Sequence, residues 1–289
     1  MTSQKRMSVV AYIPTRGTPR LRAHKLAQSL GMDYRLVCDS DEQADYIART
    51  FGTPRSKILS VGSCPGPPTG AAFKRHVVAT QIAPVGRWMV WLDDNVTHLS
   101  GLPAGGDIPD KIDIAADSEG WRRRFSEVAS SDVVWSHVVQ CVERAESRGT
   151  INCGFATESN YFFRSRRWQD FGYCRSQFTL YKNDGSAWAP TPTMMWEDFY
   201  KTVDVVARYG SVVIDRHLKA EKPHFEVGGI GSLAFRLPHL AADCRYMMDK
   251  WPGLLSYLKG RDYQLTFAKR SFKTVNEWRK LNGYLEKSK

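Results

Sequence analysis

Through the first third of the chain, four short apolar runs alternate with segments of helical spacing. That order restricts the fold more than any other feature. The runs are Ser8–Ile13, Tyr34–Cys38, Ile58–Val61 and Trp88–Leu92, the first closed by Pro14 and the second by Asp39. Between them, Pro19–Gly31 carries Leu21, Leu26 and Leu30 with basic residues interspersed, which suits an amphipathic helix. Ser40–Phe51 opens on Ser-Asp-Glu and closes on Gly52, and Ala71–Ala83 follows a Gly/Pro-rich loop. Strands and helices in this order predict a mostly parallel central sheet flanked by helices on both faces.

The fourth run ends abruptly at Asp93-Asp94-Asn95. In open α/β sheets, ligands bind outside the carboxyl ends of the strands. Unpaired carboxylates are poor core material. Two acids and an amide at such an edge suit a divalent cation carrying phosphates, Mn2+ or Mg2+. The alternative is an Asp-Asn turn that caps the strand or the next helix.

The rest of the chain is less regular. Leu102–Asp113 reads as a loop, Trp121–Arg148 as one or two helices, and Gly154–Phe163 as a strand. Tyr173–Pro192 reads as a hairpin or a loose loop, Trp196–Arg208 as a helix, and Ser211–Asp215 as a strand. Leu240–Leu258 reads as a helix broken or kinked at Pro252. No repeat and no long linker divides the chain. One domain is therefore expected, with residues 1–238 as its body and 239–289 as a basic helical C-terminal extension packed on the core.

No apolar run approaches the roughly 20 residues that span a bilayer. The run Val9–Ile13 is too short for a secretory h-region. A cytoplasmic protein is expected (the host cytoplasm if the source is viral), with no membrane partner. The six cysteines, Cys38, Cys64, Cys141, Cys153, Cys174 and Cys244, form no C-x-x-C pair and read as reduced, mostly buried thiols.

The formal charge is +11, and Lys259–Lys289 holds nine Lys or Arg against three acids, more than half of that excess. Aromatics are interleaved there. Basic groups neutralise phosphates and aromatic faces stack on bases, so Lys269, Arg270 and Lys273 are candidate nucleic-acid contacts. A solvated helix whose aromatics dock on the core is the other reading. Arg164, Arg166 and Arg167 form a second basic cluster, and Arg122–Arg124 a third.

Other segments carry candidate chemistry. After the first strand, Pro14-Thr15-Arg16-Gly17 could hold a diphosphate, with Gly17 letting the backbone approach it, or could be a simple turn. Asp39 could meet a base N–H, or Asp39 or Ser40 could cap the next helix. Lys74 and Arg75, early in a helix, could clamp phosphates or lie on a solvated face. Glu197-Asp198, between aromatics, could supply a general base or simply favour the helix dipole. His224, shortly before Gly228-Gly229-Ile230-Gly231, could complete a metal site or lie on the surface.

Taken in order, these pieces resemble the GT-A class of nucleotide-sugar glycosyltransferases over roughly Ser8–Gly231. The parallel start, the acid after the second strand, the D-x-D-like element, the later Glu-Asp pair and the late His carry the resemblance. Leu92-Asp93-Asp94-Asn95, the early Pro-Thr-Arg and the basic character look like the DNA-modifying glycosyltransferases associated with TET/JBP oxygenases, a group that includes bacteriophage enzymes and the base-J glucosyltransferase. The resemblance implies transfer from a UDP-sugar to a 5-hydroxymethyl-type pyrimidine, such as 5-hydroxymethylcytosine, in DNA. It implies that Thr15, Arg16 and Asp39 hold the nucleoside end, with Gly17 beside them, and that Lys74 and Arg75 lie near the phosphates. It places Asp93 on the ribose, Asp94, Asn95 and His224 at a divalent metal, and Asp198, with Glu197 second, as the base. Asn95 departs from the pattern, which has an acid at that position. A protein, lipid or glycan acceptor, a nucleotidyltransferase, and a non-catalytic nucleic-acid-binding protein are the competing readings.

Overall fold

The computed structural model describes residues 8–15, 21–62, 70–103, 108–157, 160–186, 188, 195–222 and 233–285. Its N-terminal part follows the alternation expected: β1 (Val10–Pro14), α1 (Ala23–Ser29), β2 (Asp33–Cys38), α2 (Asp41–Phe51), β3 (Ile58–Ser60), α3 (Gly70–Val77) and β4 (Trp88–Leu92). A π-helical turn, Val78–Ile82, continues α3. Then follow β5 (His98–Gly101), α4 (Ser118–Ser126), α5 (Ser131–Ser147), β6 (Asn152–Ala156), β7 (Trp168–Gln169), β8 (Phe178–Lys182), α6 (Glu197–Tyr209) and β9 (Val213–Glu221). The chain closes with α7 (Leu233–Lys250), β10 (Leu255–Leu258), β11 (Arg261–Phe267) and α8 (Phe272–Leu281).

Nine strands form one sheet in the order β3-β2-β1-β4-β8-β6-β9-β5, with β7 also on β9. The first four are mutually parallel. The sheet is nonetheless mixed rather than mostly parallel. β8 runs antiparallel between β4 and β6, and β5 and β7 run antiparallel to β9. The expectation of a mostly parallel sheet failed at β8: Tyr173–Pro192, read as a hairpin or a loop, instead sends the fully buried Phe178–Tyr181 into the centre of the sheet. The segment read as a strand to Phe163 ends at Ala156, and Tyr161–Arg164 is a 3-10 turn.

Alternating side chains divide the strands between two cores, as the two-residue repeat requires. Val90 and Leu92 of β4 face α1, α2 and α5, while Met89 and Trp91 face α6 and the C-terminal elements. The C-terminal part is not wholly helical. The expected helix stops at Lys250, before Pro252, and the following residues form the β10–β11 hairpin. Nor does residue 238 mark a boundary, since α7 runs through it. Trp251, Leu254, Val275 and Trp278 are buried against Tyr200, Val203 and Val206 of α6. Arg279 donates to the carbonyls of Ala207 (3.0 Å) and Arg208 (2.6 Å), orphan acceptors at the end of α6. The molecule is thus a single α/β domain.

Opposite the β1–β4 edge, a charged cluster lies wholly inside the protein. Asp215 of β9 accepts from His137 Nδ1 (2.7 Å) and from Arg167 Nη2 (2.8 Å), and His137 Nε2 donates to the Leu102 carbonyl (2.7 Å). Burial alone would raise the Asp215 pKa, but His137 and Arg167 outweigh it and hold the carboxyl down at about 2. Nearby, Arg164 donates to the carbonyls of Arg216 (2.7 Å) and His217 (3.0 Å). Gly101 closes the cluster, at φ +151°, where a Cβ would sit 2.0 Å from the His217 carbonyl oxygen. Because that neighbour is backbone, Gly101→Ala is expected to cost about 1–3 kcal/mol, measured as a lower urea midpoint. An unchanged midpoint would show that β9 yields there more easily than the packing implies.

Candidate active site

The connections leave β1 in one direction towards β2 and return through α3 to β4 on its other side. The crossover therefore reverses between β1 and β4, the position where open α/β sheets form a ligand crevice. Thr15 follows β1 and Asp93-Asp94-Asn95 follow β4, so both stand at this crevice. The Thr15 hydroxyl donates to Asp94 Oδ2 (3.1 Å). The backbone N–H groups of Arg22 and Ala23 donate to the Asp94 carbonyl (2.8 and 3.2 Å), which fixes the turn against the start of α1.

From α3, Lys74 and Arg75 enter the crevice from beneath. Both are buried. Lys74 Nζ donates to the Thr15 carbonyl (2.8 Å) and to Asp39 Oδ2 (3.1 Å), joining the ends of β1 and β2. Asp39 is not the cap of α2; Ser40 is, accepting from Gln43 N. Arg75 donates from Nη2 to Asp93 Oδ1 (3.0 Å) and from Nη1 to Glu197 Oε1. These two cations are neither on a solvated face nor disposed as phosphate clamps, because both are already engaged by carboxylates. Their partners lie 35 and 122 residues away in the chain, which local spacing could not reveal.

Arg75 therefore ties the β4 edge to the first turn of α6, where Glu197 and Asp198 lie. Asp198 accepts from the Tyr173 hydroxyl and from Phe199 N (2.9 Å). That turn is held from outside by Asp243 of α7, whose Oδ2 accepts from Met195 N (2.8 Å) and Trp196 N (3.1 Å). Burial, then the charge of Asp198, pushes Glu197 up to about 8 against the pull of Arg75. Burial also raises Asp198, with Asp93 adding to it, while Tyr173 and Arg75 oppose the shift. Both carboxyls of this adjacent pair are thus pushed upward, towards the range in which a general acid or base works.

A cleft of about 250 Å³ opens above these groups. Asp93, Tyr173, Gln177, Trp196 and Asp198 line it. Two cations that the sequence did not single out, Arg175 and Lys222, complete the wall. The Lys222 ammonium lies 3.9 Å from Asp93 Oδ2. Arg175 sits over the Tyr173 ring at 5.0 Å. Each is a single basic residue in an unremarkable context, and only the sheet brings them together.

The fit to a resident metal is poor among the described residues. No group of three or more His, Cys, Asp or Glu gathers there as ligands. Asp93 has Arg75 at one oxygen and Lys222 near the other, and Asp94 Oδ2 is engaged by Thr15. Asn95 Oδ1 is buried with no hydrogen-bond partner, but it offers one neutral oxygen. Arg16, Gly17, His224 and the Gly228–Gly231 tract lie outside the described residues.

The expected DNA contacts divide. Arg164 and Arg167 are buried, engaged by backbone carbonyls and by Asp215, and are not available to a phosphate backbone. Arg166, Arg270 and Lys273 are exposed and Lys269 is half-buried. The last three stand at the turn into α8. Phe267, just before that turn, packs on Phe199, which directly follows Asp198 (ring centroids 6.0 Å).

No family model and no curated protein sequence matches the chain. Among solved structures, it is similar to the crystal structure of A197 from STIV, with 12% identity and a TM-score of 0.34, over 78% of this chain and 100% of that one. Among the described residues, no helix is long and apolar enough to cross a membrane, and the five described cysteines are buried and free.

Proposed function

We propose that the chain is a glycosyltransferase that moves a sugar from a nucleoside-diphosphate donor, with UDP as the expected carrier, to a hydroxymethyl group on a modified pyrimidine in DNA. The observation that carries this reading is the Arg75 bridge. It ties Asp93, read as the donor-side acid, to Glu197, whose neighbour Asp198 lines the same cleft as the acceptor-side base, at the crossover between the parallel strands β1 and β4.

In the proposed reaction, Asp198 accepts the proton of the acceptor hydroxyl as its oxygen attacks the anomeric carbon. The bond from that carbon to the β-phosphate oxygen breaks, and its electron pair leaves with the nucleoside diphosphate. The Tyr173 hydroxyl donates to Asp198 and orients it as the base. Cationic side chains on the cleft wall stabilise the charge that develops on the leaving group. A DNA acceptor is supported by the net charge of +11 and by the basic residues Lys269, Arg270 and Lys273 close in sequence to Phe267, which packs on Phe199 beside Asp198.

The test mixes the purified protein with hydroxymethylated DNA and a panel of UDP-sugars, with and without Mn2+, and reads the DNA nucleosides by mass. A sugar adduct with one donor is expected, together with release of UDP. No adduct with any donor counts against the DNA acceptor. Release of pyrophosphate from a nucleoside triphosphate would instead indicate a nucleotidyltransferase.

A further inference from the structure

The cleft has an anion-binding wall that the proposed catalytic groups do not account for. Among the described residues, four cations surround the crevice, and they fall into two pairs. Lys74 and Arg75 are buried and engaged by Asp39, Asp93 and Glu197. Lys222 and Arg175 line the open cleft, and about a third of the Lys222 side chain is accessible. Lys222 follows β9, so a strand end fixes its backbone, and Arg175 rests on the partly buried Tyr173 ring. A dication beside Asp93 would have to displace the Lys222 ammonium, which already occupies the approach to Oδ2. A phosphate entering the cleft would face the Asp93 and Asp198 carboxylates, and Lys222 and Arg175 are the lining cations placed to offset them with charge-assisted hydrogen bonds.

We propose that Lys222 and Arg175 form a diphosphate subsite that does without a bound divalent cation. The proposal rests on the nucleotide-sugar reading and names what takes the place of the metal in it. Lys222 stands beside Asp93, at the donor edge, and neutralises the diphosphate there. Arg175 stands next to Tyr173 and Asp198, between the phosphates and the base.

The experiment is calorimetric titration of the full chain with UDP and, separately, with inorganic pyrophosphate, in EDTA and in Mn2+. Wild-type protein is expected to bind UDP in EDTA, with little change on adding Mn2+. Lys222→Met is expected to weaken UDP binding by about 10- to 100-fold, the loss of one charge-assisted contact, and Lys222→Arg to restore most of it. The melting temperatures of the variants, which should match that of the wild type, separate a lost contact from a lost fold. Binding of UDP only in the presence of Mn2+ would overturn the proposal, as would unchanged affinity in folded Lys222→Met. Pyrophosphate binding that depends on Lys222, without UDP binding, would uphold the subsite and defeat the sugar-nucleotide reading. Failure of both ligands to bind would defeat both.

Discussion

Asp198→Asn is expected to lower sugar transfer by about 10²- to 10⁴-fold, the usual contribution of a positioned general base. The amide keeps the size of the carboxylate and an oxygen to accept from the Tyr173 hydroxyl and from Phe199 N. What it loses is the capacity to take a proton. Nucleotide binding should therefore survive, and the loss should fall on turnover rather than on donor affinity. The pH profile provides an independent check. The active form of Asp198 is its charged form, and burial raises its pKa, so the site stays protonated to higher pH than an ordinary aspartate. The acid limb of the wild-type rate should accordingly rise above the usual aspartate range. In Asp198→Asn that limb should disappear. A variant that keeps wild-type turnover, or keeps the limb, would remove Asp198 from the base role and leave Glu197 as the candidate.

The second large effect concerns stability. Asp215→Asn is expected to destabilise the fold by about 3–5 kcal/mol, because it leaves Arg167 and His137 inside the protein without a counter-charge. That is a large part of the 5–15 kcal/mol that holds a typical domain together. The sign with pH follows from the lowered pKa. The carboxylate contributes stability above its unfolded value of 3.8, and this is lost as pH falls towards about 2. Wild-type protein should thus show a loss of stability over that interval that Asp215→Asn lacks. Urea unfolding at pH 7 and in the acid range measures both. A midpoint within experimental error of the wild type at pH 7 would mean that the cluster contributes little net stability and only fixes the course of β9.

How much of this was legible depends on how local the signal is. The alternation from β1 to β4 could be read because each element carries its own period and its own stop, such as Pro14, Asp39 and Gly52. The acids at the crevice could be read because they interrupt apolar runs, at Asp93 after β4 and at Glu197-Asp198 among aromatics. The place of strand β8 could not, since polar segments on both sides blur its bounds and its burial comes from β4 and β6 on either side. Basic residues were the least legible. Arg164, Arg166 and Arg167 lie within four positions, yet two are buried and one is exposed. Lys74 and Arg75 gave a phosphate-clamp signal that their distant carboxylate partners overrule. Lys222 and Arg175 gave none, because a single cation at a strand end has no pattern to stand out against.

The grip of Asp243 on the turn before α6 bears on when the protein becomes competent during its synthesis. Domains fold as the chain emerges, the N-terminal part first. A nascent chain that has delivered β1 to β9 has every strand of the large sheet, but not the carboxylate that receives Met195 N and Trp196 N. Nor has it Trp251 and Trp278, which cover the outer face of α6. The β1–β4 edge of the crevice can therefore form before the turn that carries Asp198 is anchored. A ribosome stalled late in the message would display a chain with its sheet in place and the turn before α6 still loose.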